Sequence, residues 1–176
     1  MRLIIIFLTV FSLCLSSANA QSPSSASSVA AKACGKDQVD FDVRTENPPQ
    51  SAPQPEPGKA LIFVISQVWK PIRVGMDGAW IGANGAHSYM SIPVNPGEHH
   101  VCVEGKFFLG SKGKQVSLTS VDVEPGKTYF LQARLIPTWQ LDTKASDLFE
   151  FQLINPDEGK FLLEKLPYST SQPKKK

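Results

Sequence analysis

The sequence predicts a mainly β protein: an antiparallel β-sandwich of seven to eight strands with one C-terminal helix. Three observations lead there. Short apolar or alternating runs recur between residues 59 and 154, each bounded by a turn signal. Asp77-Gly78, Asn95-Pro96-Gly97 and Glu124-Pro125-Gly126 supply the residue types that tight turns need at their corners. A single helical pattern closes the series, with no strand-helix alternation of the kind that builds a parallel nucleotide-binding sheet.

The chain opens with Arg2, an apolar run over residues 3–15 broken only by Thr9 and Ser12, and then Ser16, Ser17, Ala18, Asn19 and Ala20. This order is that of a secretory signal peptide over residues 1–20, cleaved after Ala20. The run is about 13 residues, short of the roughly 20 that a spanning helix requires. A lipid anchor fits poorly, because Cys14 follows the bulky Leu13 and Cys34 lies far beyond the run. No later segment has spanning length, so the expected product is a soluble protein of the periplasm or the extracellular space. The chain has no Asn-x-Ser/Thr acceptor, which leans toward a bacterial exported protein.

Removing 20 of the 176 residues leaves 156, enough for one domain and its tails. With Arg2 gone, Lys+Arg falls from 18 to 17 against 16 Asp+Glu, a net charge of about +1. Near-neutrality argues against nucleic acid as a partner. The one charge run, Lys174, Lys175 and Lys176, reads as a solvated tail over residues 169–176.

Residues 21–33 are rich in Ser and Ala and offer little to bury, so flexibility is expected. Within residues 34–46, Val39, Phe41 and Val43 alternate with Asp40, Asp42 and Arg44, the period of a half-buried strand. Residues 47–58 hold five prolines and form an extended linker, so that strand is tethered ahead of the body. The body spans residues 59–168. Leu61, Ile62, Phe63, Val64 and Ile65 are apolar on both faces, as in a central strand. Further strands are expected at 72–76, 79–83, 88–94, 101–103, 116–123, 127–136 and 149–154. Asn155, Pro156, Asp157 and Glu158 then start a helix, whose apolar stripe is Leu162, Leu163 and Leu166. Gly159 weakens that helix by about 1 kcal/mol relative to alanine.

Cys34 and Cys102 are the cysteines that remain after cleavage, and two thiols in an oxidising compartment suggest one disulfide. Two unpaired thiols are the alternative.

Several stretches together resemble a family. They are Cys34-Gly35 with Val39-Asp40-Phe41-Asp42-Val43, Pro55-Glu56-Pro57-Gly58-Lys59-Ala60-Leu61, and Arg73-Val74-Gly75-Met76-Asp77-Gly78-Ala79-Trp80. Pro96-Gly97-Glu98-His99-His100 with Cys102, Glu124-Pro125-Gly126-Lys127-Thr128-Tyr129 and Asp157-Glu158-Gly159-Lys160 complete the set. They resemble a group of bacterial exported proteins defined only as a domain of unknown function, similar to PEGA-type β-sandwich modules. The resemblance spans residues 34–168 and rests on turn and core residues. It implies a fold, but no activity and no catalytic residues. Many members carry a longer, cysteine-containing insertion where this chain has only residues 66–71.

Chemistry-bearing candidates are few. His99 and His100 are neighbours on a strand and point to opposite faces, so they do not readily share a metal, and His87 stands apart. Serines are abundant, but none lies in a Gly-x-Ser-x-Gly setting. Gly110-Ser111-Lys112-Gly113-Lys114 lacks phosphate-loop spacing and reads as a hairpin tip. Trp69 and Trp139 each lie near a proline in expected loops, where an aromatic face stacks on a sugar or a partner side chain, or else caps the core. Trp80 reads as core. No catalytic residue, metal site or cofactor is expected. The leading expectation is an exported, non-enzymatic accessory or interaction domain with an unknown envelope protein or glycan as partner. The alternative is a glycan- or peptidoglycan-binding module using Trp69 and Trp139, and a cell-envelope hydrolase is a distant third.

Overall fold

The computed structural model describes residues 33–35, 39–49, 51–106, 114–136 and 148–175. The expected signal peptide, nearly all of residues 21–33, the tip at 110–113 and Trp139 lie outside the described residues. Among the described residues, ten strands and one helix run in the order β1 (Phe41–Glu46), β2 (Ala60–Ser66), β3 (Ile72–Met76), β4 (Ala79–Asn84), β5 (Ser88–Val94), β6 (Gly97–Gly105), β7 (Gln115–Val123), β8 (Thr128–Ile136), β9 (Leu148–Ile154), α1 (Pro156–Lys165) and β10 (Tyr168–Pro173). They form a six-stranded sheet, β1-β10-β5-β2-β8-β9, and a four-stranded sheet, β4-β3-β6-β7.

The all-apolar β2 explains the layering. Ile62 and Val64 face the four-stranded sheet and pack with Val74, Val101, Val103 and Val121 between the sheets. Leu61, Phe63 and Ile65 face the other way and are covered by Leu162 and Leu163 of α1, with Tyr89 and Phe130. Alternate residues of one strand thus feed two cores, which is why β2 has no polar face. The helix begins as the sequence implies: Asn155 caps it by accepting from the Glu158 amide at 2.9 Å, and Pro156 opens it. Gly159 is where α1 meets β8, packed directly on the Phe130 ring.

The turns also follow the sequence. Asp77 (φ 50°) and Gly78 (φ 84°) both take positive φ at the β3–β4 corner, and Gly126 (φ 74°) does so between β7 and β8.

The fold is a β-sandwich, with two departures from the expected detail. The six-stranded sheet is mixed, because β2 pairs parallel with β8, and β10 pairs parallel with β5. Successive strands cross between sheets, so β8 reaches β2 from the far side of the sandwich. Local alternation carries no information about that crossing. The described residues hold ten strands rather than seven to eight, partly because Tyr168–Pro173 forms β10 where a basic tail was expected. This strand is polar, and its stability comes from partners rather than from an apolar face. β1 pairs with it antiparallel from Phe41↔Pro173 to Glu46↔Tyr168. The tethered N-terminal strand is therefore an added edge strand, docked on the C-terminal one.

β10 also fastens the two sheets. The Ala83 and Gly85 amides, in and just after β4, donate to the hydroxyls of Ser171 and Ser169 at 3.0 and 2.9 Å. Ser88 donates its proton to the Gly85 carbonyl at 2.8 Å, which leaves Ser169 to donate to Ser88 at 2.7 Å. Edge amides of one sheet are thus satisfied by side chains of the other.

Candidate functional site

The outer face of the four-stranded sheet carries the densest chemistry. Directly opposed residues project to the same side of a sheet, so the registers place Trp80, Gly75, Cys102 and Leu118 in one row across β4, β3, β6 and β7. Arg73, Glu104 and Val116 form the adjacent row. The N-terminal segment lies over this face. Cys34 bonds Cys102, with the Cα atoms 5.4 Å apart, and the pair is buried with Ala33 against Trp80. Trp80 is therefore half-buried on the outer face and not in the sandwich core.

Gly75 and Gly35 make room for that crossing. A β-carbon on Gly75 would sit 2.8 Å from Cys34 Cα and 2.9 Å from Cys102 Sγ. Gly35 (φ 80°) passes close over Gly78 and Trp80.

Beyond the disulfide the segment borders a cleft. Arg73 is held from three sides. Its Nε and one terminal nitrogen donate to Glu104, its other terminal nitrogen donates to the Val39 carbonyl at 2.9 Å, and its guanidinium lies 4.2 Å from the Trp80 ring centre. Lys114 also reaches Glu104, at 3.0 Å. Asp40, Lys70, Arg73, Glu104, Lys106 and Lys114 are the charged residues around a cleft of about 470 Å³. Among the described residues, four cations and two carboxylates line it.

A second polar cluster sits at the β3–β4 corner. His99 places Nδ1 2.7 Å from the Asp77 carboxylate and Nε2 2.8 Å from the Asn95 carbonyl. Asp77 also accepts from the His100 amide at 2.9 Å. Burial disfavours charge on His99, but the two acceptors around its ring outweigh that and raise its pKa above the usual 6.5. Burial likewise opposes ionisation of Asp77, yet the bonds from His99 and from the His100 amide win and lower its pKa below 3.8. An imidazole between two acceptors donates from both nitrogens only when protonated.

A groove of about 430 Å³ runs between the proline linker and α1, lined by Pro48, Pro49, Ala52, Tyr89, Leu163 and residues of the exposed helix face. Burial, with Tyr168 close by, pushes the Tyr89 phenol up from 10.

Trp69 is 47% exposed on the bend after β2, immediately before Lys70 of the cleft. Trp139 lies outside the described residues. His87 is exposed in the turn before β5, with positive φ, and its amide donates to the Val68 carbonyl at 3.1 Å. Among the described residues no three His, Cys, Asp or Glu side chains are placed to hold a metal ion. Nor is any helix among them long and apolar enough to cross a membrane.

Sequence reasoning missed the Arg73–Glu104 pair and the His99–Asp77 pair. The first had a signal: Arg73 precedes Val74 and Glu104 follows Val103, so each charge falls on the face opposite a core valine. The second had none, because it joins a hairpin corner to a strand 22 residues away. No protein-family model matches the chain, and no curated protein or solved structure matches it.

Proposed function

We propose that this chain is an exported, non-enzymatic interaction domain, released after Ala20 into the periplasm or the extracellular space, and a member of the bacterial family of unknown function that it resembles. The Cys34–Cys102 bridge carries this reading. It ties the N-terminal segment to the sheet and is consistent with an oxidising compartment, as an exported domain requires. A disulfide-clasped sandwich with turns at both ends is a rigid platform for loops that meet a partner.

The test has two arms. Mass spectrometry of the exported product should find a chain beginning at Gln21. The native protein, cross-linked in its own envelope fraction, should give one stoichiometric adduct while a screen on envelope substrates gives no turnover. A full-length product in the membrane fraction, or robust turnover, overturns the proposal.

A glycan-binding reading is favoured by one observation, the half-exposed indole of Trp69. A sugar ring stacks on such a face. Trp69→Ala should then abolish retention on a peptidoglycan column without changing the melting temperature, and unchanged retention would remove this reading.

A further inference from the structure

We infer that β7 is the seam of a symmetric dimer: a second copy of this chain lays its own β7 antiparallel along the edge away from β6, joining the two four-stranded sheets into one. The inference goes beyond the reading above and needs neither export nor an envelope partner.

The edge itself is the first reason. Among the described residues β7 pairs with β6 alone. The Asp77 amide donates to the His100 carbonyl at 2.9 Å, and the β3–β6 register sets these two residues opposite each other. Even-numbered residues of β6 therefore bond β3, and odd-numbered ones bond β7. Their partners in β7 include Ser117, Thr119 and Val121. The amides and carbonyls of Val116, Leu118 and Ser120 accordingly point away from β6.

The composition of the edge is the second. Native sheet edges are blunted by charge, by proline or by cover. β1 carries Asp42, Arg44 and Glu46, β9 has Glu150 near its centre, and the Ala83 amide of β4 is taken by Ser171. β7 has no charge and no proline from Gln115 to Val121. Val116 and Leu118 are 44% and 40% exposed on its outer face. Ser117 and Thr119 turn toward the interior of the sandwich and are still only half-buried. On the same flank β9 lies against β7, and there Leu153 is 50% exposed although it sits opposite the buried Leu131. Half of the exposed large apolar side chains among the described residues thus lie on this one flank.

Self-complementarity selects the occupant. In an antiparallel pair of identical strands centred on Leu118, Leu118 of each copy faces the other, Val116 faces Ser120, and Lys114 faces Asp122. The residues that exchange backbone bonds in this register are those whose edge groups point outward. Opposite charges end the seam, while Lys114 keeps its contact with Glu104. Centring on Ser120 instead sets Leu118 against Asp122, and centring on Val116 sets it against Lys114, so the pattern fixes one register. The same strand serves both copies, and the assembly closes at two chains.

The test is sedimentation of the mature, oxidised protein from micromolar to millimolar concentration, with hydrogen exchange followed over the same range. The mass should rise from one chain to two. Exchange at the Val116, Leu118 and Ser120 amides should slow as it does so, while Ser117 and Thr119, already bonded to β6, stay slow throughout. Leu118→Lys removes two leucines from the seam and sets two ammonium groups face to face. It should raise the dissociation constant about a hundredfold and leave the melting temperature of the dilute protein unchanged. Val116→Lys, at the other exposed position, should weaken the dimer as well and serves as the second variant should Leu118→Lys fail to fold. One chain at every concentration, an assembly larger than two, a dimer that the folded variants leave intact, or amide exchange unchanged on dimerisation overturns the inference. Protection of those three amides only in the cross-linked envelope adduct assigns the edge to a foreign strand; it overturns the dimer and leaves the interaction-domain reading standing.

Discussion

Gly75 and Cys34 are packed so closely that a single added methyl on the glycine would fall 2.8 Å from the cysteine Cα. The contact lets the N-terminal segment lie flat on the outer face of β3 and reach Cys102 on β6. Because the obstacle would be backbone, no side-chain rotation relieves it.

Gly75→Val should therefore prevent the bridge from closing, leaving two thiols that alkylate in unreduced exported protein. Cys34→Ser removes the bridge more gently. The two cysteines are 68 residues apart, and closing a loop of that length stabilises the folded state by about 4 kcal/mol in the chain-entropy model. Cys34→Ser should lower the melting temperature by several degrees and keep the β-sheet circular dichroism. An unchanged melting temperature would show that the bridge constrains little.

Gly159→Ala should destabilise the protein even though alanine is the better helix former. A β-carbon there would stand 2.2 Å from Phe130 Cγ. The Phe130 ring is buried and stacked on Phe63 with centroids 5.4 Å apart, so it has nowhere to move. Helix propensity favours alanine by about 1 kcal/mol. Overpacking of this severity costs about 1–3 kcal/mol or more, so the net effect is a loss. Urea denaturation of the two proteins decides it, and a higher midpoint for Gly159→Ala would refute the close helix–strand contact.

The His99–Asp77 pair should make stability depend on pH above about 6.5. The pKa of His99 is raised on folding, so its contribution is complete below the unfolded value of 6.5 and fades as pH rises through the higher folded value. The pKa of Asp77 is lowered, so its contribution holds above 3.8 and fades as pH falls through the lower folded value. Both are present together between those two ordinary values. The parent should melt at a higher temperature at about pH 5.5 than at about pH 8, and His99→Gln should flatten that difference. An equal slope in both proteins would mean that another group is responsible.

Ser169→Ala should cost about 1–3 kcal/mol, because it strands the buried Gly85 amide that now donates to the serine hydroxyl. Hydrogen exchange at Gly85 is the direct readout: fast in the alanine variant, slow in the parent. Slow exchange in both would show that β10 is not what protects this edge.

The layers, the hairpin corners and the helix were legible because each is written within a few residues. The apolar run of β2 announced a strand covered on both sides, and Asn155 with Pro156 announced a helix start. The disulfide was legible by elimination of other cysteines. What escaped was written across the chain. β10 has a polar sequence and is specified by hydroxyls that meet β4 and by the β1 backbone, so no hydrophobic period marks it. The parallel pairing of β2 with β8 depends on how strands cross between sheets. The cleft assembles Asp40, Lys70, Arg73 and Glu104 from separate segments, each unremarked as an exposed charge. Gly159 looked like a flaw in its helix because its purpose lies in Phe130 on another element.

The Cys34–Cys102 bridge also sets how far this polypeptide can be stretched. Strands β1 to β5, and the first half of β6, lie inside the covalent loop. Along the covalent path, tension arriving from upstream of Cys34 passes directly into β6, between β3 and β7, and bypasses the backbone of β1. If the domain is pulled open from its two ends, the stretch between the two cysteines, 68 positions apart, contributes nothing to its contour length, about 230 Å that appears only after reduction. In oxidised form the fully extended chain is shorter by that length. A reductant would lengthen it in a single step, and force spectroscopy with and without a thiol would read that step as a fixed increment.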